Sequence, residues 1–253
     1  MSLTAVAFTL LFVAITIFVS MRQKLGLERD IIVGTIRAAV QLLAVGLVLQ
    51  AIFRTTHPLL LVPIIVIMVA IASWHAARRG KGLRGIGLRI GIAIASTEAM
   101  IMLLLLGMHI IQSTPQYIIS ISGMTIGNAM VVAGLYLNHM RRDVESSRGE
   151  IVTLLALGAS AKQAIQLGIK RAVKASLIPT IDGMKTVGIV QLPGMMTGMI
   201  IAGADPLQAV RYQMLIVFAF TSSAAVTSII LSLLSYKLWF TPSLQLRRWE
   251  KEE

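Results

Sequence analysis

Residues 208–236 read QAVRYQMLIVFAFTSSAAVTSIILSLLSY and carry a single charge, Arg211. A helix over these positions is about 43 Å long at 1.5 Å per residue. That exceeds the roughly 30 Å hydrocarbon core of a bilayer, so the stretch reads as a transmembrane helix. Six further apolar runs of crossing length precede it, at approximately 3–21, 31–53, 58–77, 88–111, 115–138 and 185–204. The fold class expected is therefore all-α, a polytopic membrane protein with about seven transmembrane helices. Composition agrees: only 13% of the 253 residues are charged and 56% are hydrophobic, with a mean hydropathy of +0.82. Soluble domains run at roughly 25% charged, and disordered chains are poor in apolar residues, so both classes are excluded.

Charge placement orients the chain. The 23 Lys and Arg exceed the 11 Asp and Glu. Most of them fall between spans one and two, three and four, five and six, or after span seven. Examples are Arg22, Arg78, Arg84, Arg141, Lys162, Lys170, Arg171 and Lys237. The opposite loops hold only Arg54 and Arg211. By the positive-inside rule the N-terminus lies outside and the C-terminus is cytoplasmic, in a multi-pass protein of the inner (plasma) membrane. The basic collar faces the lipid bilayer. No interleaved aromatics make it a nucleic-acid platform, so no nucleic-acid partner is expected. Span one lacks a basic leader and a small-x-small cleavage site, and so reads as a retained anchor rather than a signal peptide. Cysteine is absent, which removes disulfides, thiolate metal sites and thiol nucleophiles.

The chain reads as one transmembrane domain, 1–253, whose one sizeable non-spanning segment is 139–184. Glu145–Leu157 is helix-like and closes at Gly158, a C′ glycine. Ser160 and Gln163 form a Ser-x-x-Gln capping box. Ala161, Ala164, Ile165, Gly168, Ile169, Ala172, Val173 and Ser176 then share one helix face, with Lys162, Gln166, Lys170 and Lys174 on the other. Pro179 is expected to end that helix, and Asp182 to cap span six. The segment is thus helix, tight turn, helix. It either lies on the membrane surface or serves as a docking knob for a cytosolic partner.

Candidate chemistry is sparse. Gly80-Lys81-Gly82-Leu83-Arg84-Gly85 matches G-x-G-x-x-G but follows a spanning helix instead of a strand, so it reads as a flexible turn. There is no phosphate loop, so ATP, if used, binds elsewhere. His57, His75, His109 and His139 are not spaced as pairs, and no HExxH or G-x-S-x-G occurs. No catalytic residue is expected, and the chain does not read as an enzyme. Span six is broken by Gln191-Leu192-Pro193-Gly194-Met195-Met196-Thr197-Gly198-Met199, with Pro193, Gly194 and Gly198 as a candidate hinge. Span five carries Gly123-Met124-Thr125-Ile126-Gly127-Asn128. These blocks either pack helices or line a substrate route through Met124, Asn128, Gln191, Met195, Met196 and Met199. The methionine cluster is either soft-metal ligation or adaptable filler. Arg37, with Gln41 one turn on, and Glu98 are polar groups inside spans and join the candidate pathway. Glu98 is read as a proton or cation site, or as a paired structural residue.

Several of these blocks resemble the FetB-type permeases of ABC transporters, which include bacterial iron-export permeases and plant aluminium-tolerance relatives. The likeness rests on Arg37–Leu42, Gly127–Val131, Ile178–Asp182, Lys185–Gly188 and above all Leu192-Pro193-Gly194-Met195-Met196-Thr197-Gly198, followed by Gly203-Ala204-Asp205-Pro206. The resemblance implies a permease paired with a separate ATP-binding subunit in a two-plus-two complex, with a permease homodimer at its centre. ATP and Mg would sit on the partner, and this chain would bind no cofactor of its own. Leu157–Ser160 also looks like the coupling turn of ABC permeases, which assigns ATPase coupling to Gly158, Ala159, Ser160, Lys162 and Gln163. The substrate implied is a metal ion such as iron, or alternatively a nucleotide-sugar. A proton-coupled secondary transporter using Glu98 is the competing mechanism.

Overall fold

In the computed structural model, residues 3–52, 61–80 and 82–247 are described, and the side chains of 3–7 and 51 are not considered. His57, Arg54, Lys81, Arg248 and Lys251 lie outside these residues. The described chain is helical throughout, with α1 Leu3–Arg22, α2 Glu28–Ile52, α3 Leu61–Ala77, α4 Ile86–Gly107, α5 Pro115–Ser146, α6 Arg148–Ala156, α7 Ala161–Thr186, α8 Gly194–Ile201 and α9 Pro206–Ser235. Two compact units divide it, 1–56 and 57–253.

The first unit is the hairpin of α1 and α2. Leu27 ends the connection, and the Ser20 hydroxyl donates to Glu28 Oε1 at 2.9 Å across it. Glu28 and Asp30 sit in the first turn of α2, where the helix dipole favours them. Arg37 and Gln41 lie on α2 and are exposed within this unit.

In the second unit α5 is the hub and packs against α3, α4, α7 and α9. It is long because Pro115 sits at its first turn after Thr114, and no further proline interrupts it until Ser146. Ile90, Ala93 and Ile94 of α4, Ala133, Tyr136, Leu137 and Met140 of α5, and Leu231 of α9 are sealed in the core. Hydroxyls add contacts that apolar packing in lipid does not supply. Thr227 of α9 bonds Thr97 of α4 at 3.0 Å, and Ser228 meets Ser176 of α7 at 3.0 Å. The Ser223 hydroxyl donates to the Thr125 carbonyl at 3.1 Å. Asp205 caps α9, accepting from the amides of Leu207 at 2.8 Å and Gln208 at 3.2 Å, with Pro206 at the first helical position.

Among the described residues, five helices are long and apolar enough to cross a membrane: Glu28–Gln50, Leu61–Gly80, Ile86–Gly107, Pro115–Ser146 and Pro206–Trp239; a shorter apolar helix covers Phe8–Arg22. The sixth expected span is not one helix. α7 stops at Thr186, a turn with Gly188 at φ +85° follows, and α8 has eight residues. At about 12 Å it cannot cross alone. Pro193 N-caps α8 instead of kinking a longer helix.

Two further expectations need correction. Pro179 does not end α7, which runs through it to Thr186. Packing of α7 on α5 and α9 holds the helix where one backbone bond is missing. Asp182 therefore caps nothing; it lies in the last turns of α7 and pairs with Lys185 at 3.1 Å. Segment 139–184 is also less detached than its charge suggests, because α5 continues to Ser146 and the Ser176 face of α7 is buried in the bundle.

Candidate functional site

Asn128 is placed by α5, Thr180 and Met184 by α7, Gln191 and Pro193 by the connection to α8, and Gln213 and Thr221 by α9. Together they line a cavity of about 290 Å³. A second cavity of about 370 Å³ adjoins it and shares Met184, Val187, Pro193, Gln213 and Val217. Met196 of α8 lines the second. The break after Thr186 makes room: with no helical ladder over Val187–Pro193, the chain swings aside and leaves a gap beside α9. The amides of Ile189, Val190 and Gln191 fold back onto the Thr186 carbonyl, and that of Gly188 reaches the Gln191 carbonyl at 2.9 Å, so the turn satisfies its own amides.

Asn128 Nδ2 donates to the Phe220 carbonyl at 2.9 Å and lies 3.4 Å from the Ser223 hydroxyl. A carbonyl can only accept, which fixes the amide's orientation. The Thr221 hydroxyl donates to the Val217 carbonyl at 2.9 Å and approaches Met184 Sδ at 3.3 Å. Gln213 is 6% exposed, and its Oε1 is sealed with no hydrogen-bond partner. Among the described residues, neither cavity has a charged residue or a histidine in its wall.

Sequence reading thus brought together Asn128, Gln191, Pro193 and Met196. Met124, Met195, Met199, Gly194 and Gly198 line neither cavity. Among the described residues, a β-carbon at Gly194 or Gly198 would meet open space, so this GxxxG shows no close helix approach. At the other motif, Gly123 admits Met68 of α3. Gln213 was missed, although an amide inside an apolar run is a legible signal.

Glu98 stands apart from the cavity. It is 4% exposed between α4 and α5, and the Thr125 hydroxyl meets its Oε2 at 2.5 Å. Its Oε1 has no partner. No group of three His, Asp or Glu able to hold a metal exists among the described residues.

The second candidate site is the turn between α6 and α7. The Ala159 amide reaches the Leu154 carbonyl at 2.9 Å and the Gly158 amide the Leu155 carbonyl at 3.0 Å, with Gly158 at φ +90°. That is a Schellman motif, which requires the left-handed glycine. Ser160 and Gln163 close the expected capping box: the Ser160 amide donates to Gln163 Oε1 at 2.9 Å, and the Gln163 amide to Ser160 Oγ at 3.4 Å. Leu157 at the tip is 79% exposed. Lys162 is exposed beside it. Two clasps hold the knob. Arg171 of α7 forks onto Asp143 of α5 at 2.6 and 3.1 Å, and this carboxylate raises the guanidinium pKa above its ordinary value. Arg148 of α6 donates to the carbonyls of Arg247 at 3.0 Å and Leu246 at 3.1 Å, tying down the segment after α9.

With these features in place, similarity to known proteins can be read. The family described as Uncharacterised protein family (UPF0014) matches residues 3–240. The chain belongs to this family. It is 46% identical over 250 residues to the UPF0014 membrane protein YjkA of Bacillus subtilis (strain 168), covering 99% of this chain and all of the relative. It is 37% identical over 242 residues to the probable iron export permease protein FetB of Escherichia coli (strain K12), covering 96% and 93%. It is 35% identical over 241 residues to the protein ALUMINUM SENSITIVE 3 of Arabidopsis thaliana, covering 95% and 88%. No solved structure matches. This UPF0014 member is a multi-pass helical membrane protein.

Proposed function

We propose that this chain is the membrane-spanning subunit of an ATP-driven exporter of a metal ion. A separate ATP-binding subunit would carry ATP and Mg, and two copies of each would form the complex in the inner (plasma) membrane. The observation that carries the reading is the Leu157–Ser160 turn. An isolated loop tip with an exposed leucine gains nothing from a Schellman motif, a capping box and two arginine clasps unless its shape matters to something that binds it. A rigid knob transmits displacement; a floppy one absorbs it. The likeness to an iron export permease supports export of a metal. The cavity between α5, α7 and α9 serves as the substrate site, and α8 with its preceding turn as the element that moves. The nucleotide-sugar alternative finds, among the described residues, no cationic side chain in the cavity wall to meet its phosphates. The proton-coupled alternative has Glu98 away from the cavity.

The test is a unique cysteine at the knob, Ser160→Cys, cross-linked in native membranes and followed by mass spectrometry. Capture of a protein with a phosphate loop is the expected result. A thiol that labels freely yet captures no such protein would sink the proposal.

A further inference from the structure

A third cavity, of about 660 Å³, opens between the start of α7 and the segment that follows α9. Ser160, Ala161 and Lys162 form one wall, and the stretch from Tyr236 to Arg247 forms the other. Lys162, Lys237 and Arg247 all line it, and among the described residues no Asp or Glu does. None of these three cations is held in an ion pair among those residues. Lys237 Nζ stands 6.0 Å from the centre of the Tyr236 ring, and Arg247 Nε donates to the Phe240 carbonyl at 3.3 Å. Three positive charges around one hollow repel one another, and a bound anion relieves that repulsion.

The rest of the wall is apolar, with Leu238, Phe240, Pro242 and Leu244. Leu244 is 59% exposed and sits at φ +59°, in the left-handed region that a leucine takes only when its surroundings impose it. Here they do. The Thr241 amide donates to the Gln245 carbonyl at 2.8 Å, and the Leu244 amide to the Thr241 carbonyl at 3.0 Å. Arg148 ties down the Leu246 and Arg247 carbonyls just beyond.

The crossing-length helical stretch that begins at Pro206 ends at Trp239, so this hollow sits where the chain leaves the bilayer. The split of basic residues puts that end on the cytoplasmic side, whose leaflet carries the anionic lipids. A soluble anion or an acidic peptide would use the cations and leave the leucines in water. An anionic phospholipid uses both. Its phosphodiester meets the cations, and its glycerol and first methylenes cover Leu238 and Leu244.

We infer that this cavity binds one anionic phospholipid of the cytoplasmic leaflet, held by Lys162, Lys237 and Arg247. The lipid bridges the start of α7 to the segment after α9 and so braces the knob from the membrane side. Its binding does not depend on the ATP-driven reading.

The full chain in neutral detergent, with no ATP-binding subunit, is titrated with dioleoyl-phosphatidylglycerol or dioleoyl-phosphatidylcholine, and bound lipids are counted by native mass spectrometry. Phosphatidylglycerol should fill one saturable site, about ten-fold tighter than phosphatidylcholine, and should slow hydrogen exchange at the amides of Ala161 and Lys162. Lys237→Gln should weaken that site about five-fold, the scale of one basic residue at an anionic surface. Lys237→Arg keeps the charge and should keep the affinity. Lys174→Gln removes an equal charge from the exposed stripe of α7, outside the cavity, and should change nothing. Neither glycerol 3-phosphate nor a tetraglutamate peptide, at the lipid's own concentration, should displace the lipid. Equal binding of the two lipids would overturn the assignment, and so would equal loss in Lys237→Gln and Lys174→Gln, which is the mark of diffuse surface charge. Displacement by glycerol 3-phosphate would make the ligand a soluble phosphate ester, and displacement by tetraglutamate an acidic peptide. Binding that appears only once Glu250, Glu252 and Glu253 are changed to Gln would give the hollow to the chain's own acidic end. Each of these results leaves the ATP-driven reading to the Ser160 cross-link.

Discussion

At the residue scale, Glu98 and Gly168 show how a single atom decides a position. Glu98 sits deep in an apolar bundle and depends on the Thr125 hydroxyl for its one observed bond. Thr125→Val keeps the volume and removes that bond, so it should destabilise the bundle by about 2 kcal/mol, the cost of a buried polar group left bare. Thr125→Ser should sit close to wild type. Thermal unfolding in detergent compares the two, and equal loss in both would contradict the role given to the hydroxyl. Gly168 of α7 lies where a β-carbon would collide with the Asp143 carboxylate. Gly168→Ala should therefore push Asp143 off Arg171 and cost about 1–3 kcal/mol, as overpacking does. Its signature is that Arg171→Gln loses most of its effect in the Gly168→Ala background. Helical spacing assigned Gly168 to the buried face correctly. It gave no hint of Asp143, because a partner 25 positions away is set by the α5–α7 crossing and not by local pattern.

At the element scale, the α6–α7 hairpin was legible almost atom by atom. Ser-x-x-Gln and the preceding glycine are local signals, and local hydrogen bonds answer to them. Ser160→Ala should cost about 1 kcal/mol. Hydrogen exchange checks it, with faster exchange expected at the Gln163 amide and no change in the centre of α9. The other end of α7 misled because Pro179 is a local helix-stop signal overruled by tertiary packing. The break in the sixth span was legible at Gln191–Met199, but as a kink and not as a chain that leaves the helix at Thr186. Hydropathy counts apolar residues, and residues 185–204 are apolar enough. What divides them is Gly188 in a left-handed turn and Pro193 at the start of α8, both backbone effects that an apolar average does not register.

At the scale of the whole molecule, the charge pattern and the helices raise one question that an accessibility experiment answers. The split of basic residues asks for Ser160 inside and Asp205 outside, yet α8 is too short to carry the chain across. The C-terminal part of α7 removes the conflict. α7 has 26 residues, about 39 Å, and its Ser176 lies against Ser228 of α9, a helix of crossing length. The sixth crossing is then discontinuous: the far half of α7, the self-satisfied turn at Val187–Gln191, and α8. Irregular backbone at membrane depth is tolerated where it borders a cavity, and this turn contributes Val187, Gln191 and Pro193 to the cavity walls. The chain has no cysteine, so Ser160→Cys and Asp205→Cys each give a single reporter. A membrane-impermeant maleimide applied to right-side-out vesicles should label Asp205→Cys and spare Ser160→Cys, and inverted vesicles should reverse the two. Labelling of both from one face would mean that the broken segment dips into the bilayer and returns. The count of crossings would then be even, and the two termini would lie on the same side, the one opposite the face that labels.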